Sequence, residues 1–258
     1  MKGSILLTTI VGAAGLFLGR VVLGQASAHP VAPHTPQLIS FWTEDFSAPL
    51  PAGDYYITAT DGSGVRTPDN EFRLTEGTNG ERGRIFYLTP AWMDEFVTNF
   101  SLYLGDETDV TPVADGAAFI FCPSYDYAPS SGYFLDASCP GGYIVAFDTY
   151  EIDNDIHYAR MYVALENTNT RLCQTNLLDL GVLANGNWHD FSVTLDNYTI
   201  EVSLDGRTPW ECVLPDYQPF VGYFGFSAAT GGYFAEQLVD NISIDANPIR
   251  IYLPFVSR

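Results

Sequence analysis

Along Phe191-Ser192-Val193-Thr194-Leu195-Asp196, and again along Tyr198-Thr199-Ile200-Glu201-Val202-Ser203-Leu204, apolar and polar residues alternate without a break. Alternation sends every second side chain to the same face of a strand, so this stretch predicts a β-hairpin with one buried face. Its turn is expected at Asp196-Asn197, because Asp and Asn tolerate the positive φ that a tight turn demands, and a second turn is expected at Asp205-Gly206. Further strands are predicted over 84–88, 96–104, 117–121, 143–149, 160–165 and 223–228, each a short apolar run bounded by Gly, Asn, Asp or Pro. Residues 143–147 are almost continuously apolar, as expected of a strand covered on both faces. No stretch keeps a helical period and no seam divides two cores, so the 258 residues predict one all-β domain over 39–246, a sandwich or barrel.

The ends read differently. Lys2, an apolar run over 5–22 interrupted by Arg20, and Ala26-Ser27-Ala28 make up a secretory signal peptide over 1–28, cut after Ala28. An uncleaved anchor is the second reading, although the run is short for a span. Nothing later is apolar enough to cross a membrane, so the mature form is expected to be soluble, without a membrane span, and secreted or held at the extracellular surface. Residues 29–38, with three prolines, predict an extended leader, and 247–258 an appended tail; no internal repeat occurs.

The net charge is −20, and two units more negative once Lys2 and Arg20 leave with the signal. A polyanion of this kind repels phosphate backbones, which argues against nucleic acid as a partner. Lys2 is the sole lysine, so the mature chain can form no Schiff base. The cysteines, Cys122, Cys139, Cys173 and Cys212, all follow the signal and in an oxidising compartment would form two disulfides in one of three pairings. The sequence leaves the choice open; Cys122 with Cys139 closes a local loop, a link worth about 3 kcal/mol, which leaves Cys173 with Cys212. No Cys-x-x-Cys spacing suggests zinc or redox chemistry.

Four stretches, in order, carry more than a strand pattern: Val113-Ala114-Asp115-Gly116-Ala117-Ala118-Phe119-Ile120-Phe121, Gly141-Gly142-Tyr143-Ile144-Val145-Ala146-Phe147-Asp148-Thr149-Tyr150, Gly186-Asn187-Trp188-His189, and Val221-Gly222-Tyr223-Phe224-Gly225-Phe226-Ser227-Ala228-Ala229-Thr230-Gly231-Gly232. Together, over residues 39–244, they resemble the L-type (legume) lectin family, with its A-D-G-x-A-F strand, its glycine loop before F-D-T-Y, its G-x-W-H and its V-G-F-S-A-A-T-G segment. The resemblance implies a concanavalin A-like jelly-roll sandwich of two large antiparallel sheets. It also implies glycan or polysaccharide as partner, pairing of two copies through flat back sheets, and no catalysis.

A sugar offers vicinal hydroxyls and one apolar ring face, so its receptor needs a carboxylate acceptor, a backbone N–H donor and an aromatic platform. Asp115, Gly142 and Tyr150 have those properties, and Gly232 and Tyr233 would line the rim. The resemblance further implies a cis peptide between Ala114 and Asp115. The plainer readings are an ordinary turn at Asp115-Gly116, a loop at the glycine pair and an exposed loop tyrosine at Tyr233.

Calcium takes six to eight oxygens. The resemblance makes Asp148 a metal ligand, and Asp148, the carbonyl of Tyr150, Asp153 and Asp155 form the expected set, with Glu151 and Asn154 close by. An acidic solvated turn is the alternative. Two departures stand out: Ile152 replaces the family's Asn, and the loop before His157 is short. Ala146 replaces the Glu that holds a second ion, so no transition metal is expected; His157 and His189 read as structural. The rival with the same fold is a family-sixteen β-glucanase, whose E-x-D-x-x-E becomes Ala146-x-Asp148-x-x-Glu151 here and lacks its nucleophile. A laminin-G-like adhesive module with a degenerate pocket is the other alternative.

Overall fold

The computed structural model describes residues 38–60, 62–106, 113–126, 141–153, 156–165 and 170–249. The expected signal peptide, nearly all of the leader and residues 250–258 of the tail lie outside them, and those described belong to one compact unit, Pro36–Arg258. The strands are β1 (Ile39–Glu44), β2 (Tyr55–Ala59), β3 (Val65–Arg66), β4 (Phe72–Glu76), β5 (Arg82–Tyr87), β6 (Ala91–Tyr103), β7 (Gly116–Cys122), β8 (Tyr143–Asp153), β9 (Ile156–Leu165), β10 (Thr170–Gln174), β11 (Leu178–Asp179), β12 (Trp188–Asp196), β13 (Thr199–Leu204), β14 (Trp210–Val213), β15 (Val221–Ala229) and β16 (Glu236–Asn247).

All pairings are antiparallel and sort into two sheets. The front sheet runs β10-β9-β8-β7-β15-β5-β2, with β11 also on β9. In the back sheet β16 pairs β6 on one edge and β1 and β4 on the other, and β12, β13 and β14 continue beyond β6. The first residues of β15, Val221 and Gly222, pair with β6 before β15 joins the front sheet, so one strand stitches the two layers. This is the expected sandwich of two large antiparallel sheets.

Aromatic rings fill the space between the layers. Phe100 of the back sheet meets Phe119, Phe147 and Phe226 of the front sheet and Phe191 of its own, with centroids 4.9 to 5.9 Å apart. Rings at such spacings bury large apolar area and favour offset or edge-on contacts. The front sheet is also covered on its other face. Tyr143, Val145 and Phe147 join the main core, whereas Ile144 and Ala146 join a second cluster with Phe86, Ala118, Ile120, Tyr162 and Ala164. The continuous apolar run over 143–147 reflects this double burial.

The hairpin forms as predicted, with β12 alternating exposed and buried, but its turn lies one residue later. Asp196 pairs with Thr199, and the positive φ values belong to Asn197 (46°) and Tyr198 (65°). The register set by the buried face outranks the turn preference of Asp196. The second turn is as expected, with φ of 50° at Asp205 and 67° at Gly206. His189 is structural: its ring nitrogens bond Asp205 (2.9 Å) and Asn185 (3.1 Å).

Cys173 and Cys212 are joined, tying the edge strand β10 of the front sheet to β14 of the back sheet across 39 residues of sequence. Cys122 is also disulfide-bonded; Cys139, its expected partner, lies outside the described residues. Replacing Cys173 and Cys212 together by serine is expected to cost about 4 kcal/mol, the loop-closure entropy of a ring this size, measured by urea unfolding of both proteins.

Candidate functional site

At one end of the sandwich the backbone of Asp115 is held between two strands. Its N–H donates to the carbonyl of Ala229 (2.9 Å), and its carbonyl accepts from the N–H of Thr149 (3.0 Å). The peptide before it, Ala114-Asp115, is cis. The Ala114 carbonyl accepts from Nε2 of Gln237 (3.0 Å), a fully buried side chain whose Oε1 meets the Thr75 hydroxyl at 2.5 Å. Gly116 follows because the chain passes tight against β8: with φ of 119°, a Cβ there would lie 2.1 Å from the Phe147 carbonyl oxygen. The backbone of Asp115 is thus held in place, and its carboxylate starts from a fixed point.

The loop after β15 supplies the opposite wall. Thr230 is locked to Glu81 in both directions: its N–H donates to the Glu81 carbonyl (2.9 Å), and its hydroxyl accepts from the Glu81 N–H (2.8 Å). The buried Glu81 carboxylate in turn accepts three backbone N–H groups, from Glu76, Gly77 and Thr78. Gly231 then passes so close that a Cβ would sit 3.3 Å from Oδ1 of Asp115, while Gly232 faces open space. Tyr233 and Phe234 stand 38% and 46% exposed, a pair of aromatic side chains presented to solvent where the core could have taken them.

Three rings close the group. Tyr150 lies 5.5 Å from Tyr233 and 5.2 Å from His157, and His157 lies 5.4 Å from Tyr233. Burial pushes the Asp115 carboxyl up to about 6. Burial also raises the Tyr150 phenol, helped by Tyr233 and by the Asp115 charge. The arrangement is a fixed carboxylate acceptor beside two partly exposed tyrosines and a histidine.

Asp115, Tyr150, Gly232 and Tyr233 are therefore gathered at one end; Gly142 is not. Gly116 pairs with Asp148 and Phe121 with Tyr143, so Gly142 lies at the other end of β8, six residues from Asp148. At about 3.3 Å per extended residue it is about 20 Å from the Asp115 end. It cannot supply the donor expected of it. Three positioning residues escaped the sequence reading: Gln237, Glu81 and Gly231. His157, expected to be structural, is part of the aromatic group.

Asp148, the first of the expected calcium ligands, sits on the other side of the same strand end. Between Asp148, paired with Arg160, and Glu151, paired with Tyr158, β8 contains one extra residue. This bulge brings Glu151 onto the side of Asp148. Asp148, 1% exposed, accepts from the Tyr150 N–H (2.8 Å) and faces a guanidinium nitrogen of Arg171 at 3.4 Å. Glu151 pairs with Arg171 and lies 4.0 Å from Arg160. Burial holds the Asp148 carboxyl well above the usual carboxylate range; the Tyr150 N–H pulls it back, Glu151 adds to the rise and Arg171 opposes it.

Asp153 is described for its backbone, which pairs with Ile156 and leaves two residues for the connection; Asp155 lies outside the described residues. Among the described residues no group of three His, Cys, Asp or Glu has the arrangement of a metal site. The two described carboxylates, Asp148 and Glu151, are already met by two guanidiniums, and the described donors do not fit a calcium ion. Ala146, where the glucanase pattern has its nucleophile, is fully buried.

No family model matches the sequence, and no curated protein matches it either. Solved structures do. Peanut lectin aligns over 83% of this chain and 100% of its own at a TM-score of 0.63 and 20% identity. The lectin UEA-II aligns over 81% and 100% at 0.61 and 18%, and the exoplasmic/lumenal domain of VIP36 over 82% and 89% at 0.60 and 13%. At these identities the likeness is one of architecture, and it spans nearly the whole of each lectin. The fold of this chain is the concanavalin A-like sandwich of the L-type lectins.

Proposed function

We propose that this chain is a secreted carbohydrate-binding protein that holds a sugar at the Asp115 end of its sandwich and does no chemistry on it. The observation that carries the reading is the fixed Asp115 carboxylate standing beside Tyr150 and the exposed Tyr233. A carboxylate accepts hydrogen bonds from two neighbouring hydroxyls, and an aromatic face covers the apolar side of a pyranose ring. Neighbours of the same fold support it: UEA-II was solved with galactose and the VIP36 domain with calcium and Man2. Export is supported by the signal-like segment over 1–28 and by the Cys173–Cys212 disulfide. A non-catalytic role is supported by alanine at position 146 and by the burial of Asp148, which leave the glucanase positions of this strand without an open carboxyl pair.

A glycan array should return a defined set of ligands, and titration calorimetry with the best of them should show Asp115→Ala weakened about a hundredfold, the worth of two hydrogen bonds to a charged acceptor. Unchanged circular dichroism keeps this apart from misfolding. An array without hits would favour the adhesive-module reading instead, and steady release of reducing sugar from laminarin or lichenan would overturn the non-catalytic one.

The titration of Asp115 gives the pH dependence. Its carboxyl rises from 3.8 to about 6 in the folded chain. The ionised acceptor is therefore lost as pH falls through about 6, and affinity should fall with it, whereas Asp115→Asn should bind weakly at every pH. Stability runs the other way. A raised carboxyl favours the fold when protonated, so its contribution is present below pH 3.8 and is lost as pH rises towards 6. Thermal unfolding of wild type and Asp115→Asn across this window should show the asparagine variant gaining relative stability as pH rises.

Gln237→Leu should leave the sandwich folded but strand the buried Ala114 carbonyl. We expect a loss of about 1 to 3 kcal/mol in urea unfolding together with weaker sugar binding; Gln237→Glu, which keeps the shape and removes the donor, should behave alike.

A further inference from the structure

On the far side of β8 from the aromatic group, Arg171 occupies a built position. Its strand, β10, pairs with β9 through Arg171 and Ala164, and two residues on Cys173 bonds β10 to the back sheet. Its guanidinium lies over the Tyr162 ring, 4.2 Å from the centroid. From there one nitrogen faces Asp148 at 3.4 Å and another pairs with Glu151. A planar guanidinium stacked on a ring is pre-organised to serve two carboxylates at once. The β8 bulge brings those carboxylates to one side, and Arg160 adds a second positive charge 4.0 Å from Glu151.

We propose that Arg171 is the built-in counter-ion of this strand end, filling electrostatically the place of a divalent cation. The architecture of the Asp115 end then does not depend on calcium. Two features converge: two guanidiniums against two carboxylates, and Ile152 where an amide oxygen would be needed. The extension to sugar binding, that it too is metal-independent, rests on the function proposed above; the structural part does not.

The test uses the full chain, stripped with EDTA and then unfolded thermally in EDTA or in millimolar calcium chloride. The expected result is the same Tm in both; a rise with calcium overturns the proposal. Arg171→Gln should lower Tm by about 5 °C, since it strands two carboxylates, one of them buried. Adding Glu151→Gln to that variant should recover part of the loss, because the carboxylate that paired with Arg171 is gone. If the arginine served only to pack on Tyr162, Glu151→Gln would recover nothing, and that result overturns the counter-ion role, as does an Arg171→Gln protein as stable as wild type. Should Arg171→Gln fail to fold, the calcium arm on the wild type still decides. These readings contain no sugar, so an array without hits removes the lectin reading and leaves this one standing, whereas glycan binding lost in EDTA and restored by calcium overturns its extension to the pocket.

Discussion

One extra residue in β8, between Asp148 and Glu151, is the constraint on which both faces of the site depend. In a regular strand residues 148 and 150 would share a face and 151 would lie opposite. With the bulge, Tyr150 turns to the side of His157 and Tyr233, and Glu151 joins Asp148 beneath Arg171. An aromatic surface and a charged cluster thus use consecutive residues of one strand without meeting. Without the extra residue Glu151 would be driven towards the apolar layer and Tyr150 towards the arginines. Burying an unpaired carboxylate costs several kcal/mol, so side-chain chemistry and backbone irregularity enforce each other.

What would suit the Asp115 end to recognition is that its loops are held by strands. Its backbone is bonded to β8 and β15, its preceding carbonyl to Gln237 of β16, and the wall opposite is locked through Thr230 and Glu81. Each of these strands is packed on the phenylalanine core, and the front sheet is buried on both faces. A ligand at this end would meet a backbone whose ordering cost was met in folding, and more of the interaction energy would remain for affinity. The exposed aromatic side chains lie at 233 and 234, in the loop after β15.

The sequence made legible what apolar alternation encodes. The predicted strands all exist, and β12 and β13 alternate as read, because burial on one face leaves a period of two. β16 was invisible although it is central to the back sheet: Glu236-Gln-Leu-Val-Asp-Asn-Ile-Ser-Ile-Asp-Ala-Asn247 breaks its alternation at irregular registers and at Asn241, with φ of 53°. Gly142 was misplaced for a different reason. A motif keeps residues adjacent on paper, but an extended strand between Gly142 and Tyr150 carries them to opposite ends of a sheet. Gln237 and Arg171 left no signal, since each acts on a residue distant in sequence and only the sheet order joins them.

The charge distribution bears on why this strand end fits a receptor better than a hydrolase. A retaining glycosidase sets two carboxyl groups about 5 to 5.5 Å apart on either side of an exposed bond, one of them free to exchange a proton. Here the two neighbouring carboxylates are engaged by arginines, and one is buried. Asp115 stands on the other side among tyrosine and histidine rings, its proton affinity raised by burial with no charged partner needed to explain the rise. In a chain with 31 acidic residues against 11 basic ones, committing two arginines to this pair is a large share of the available positive charge. That commitment stabilises the platform on which Asp115 rests, and a single acceptor beside aromatic rings can orient a sugar without supplying the second group that cleavage requires.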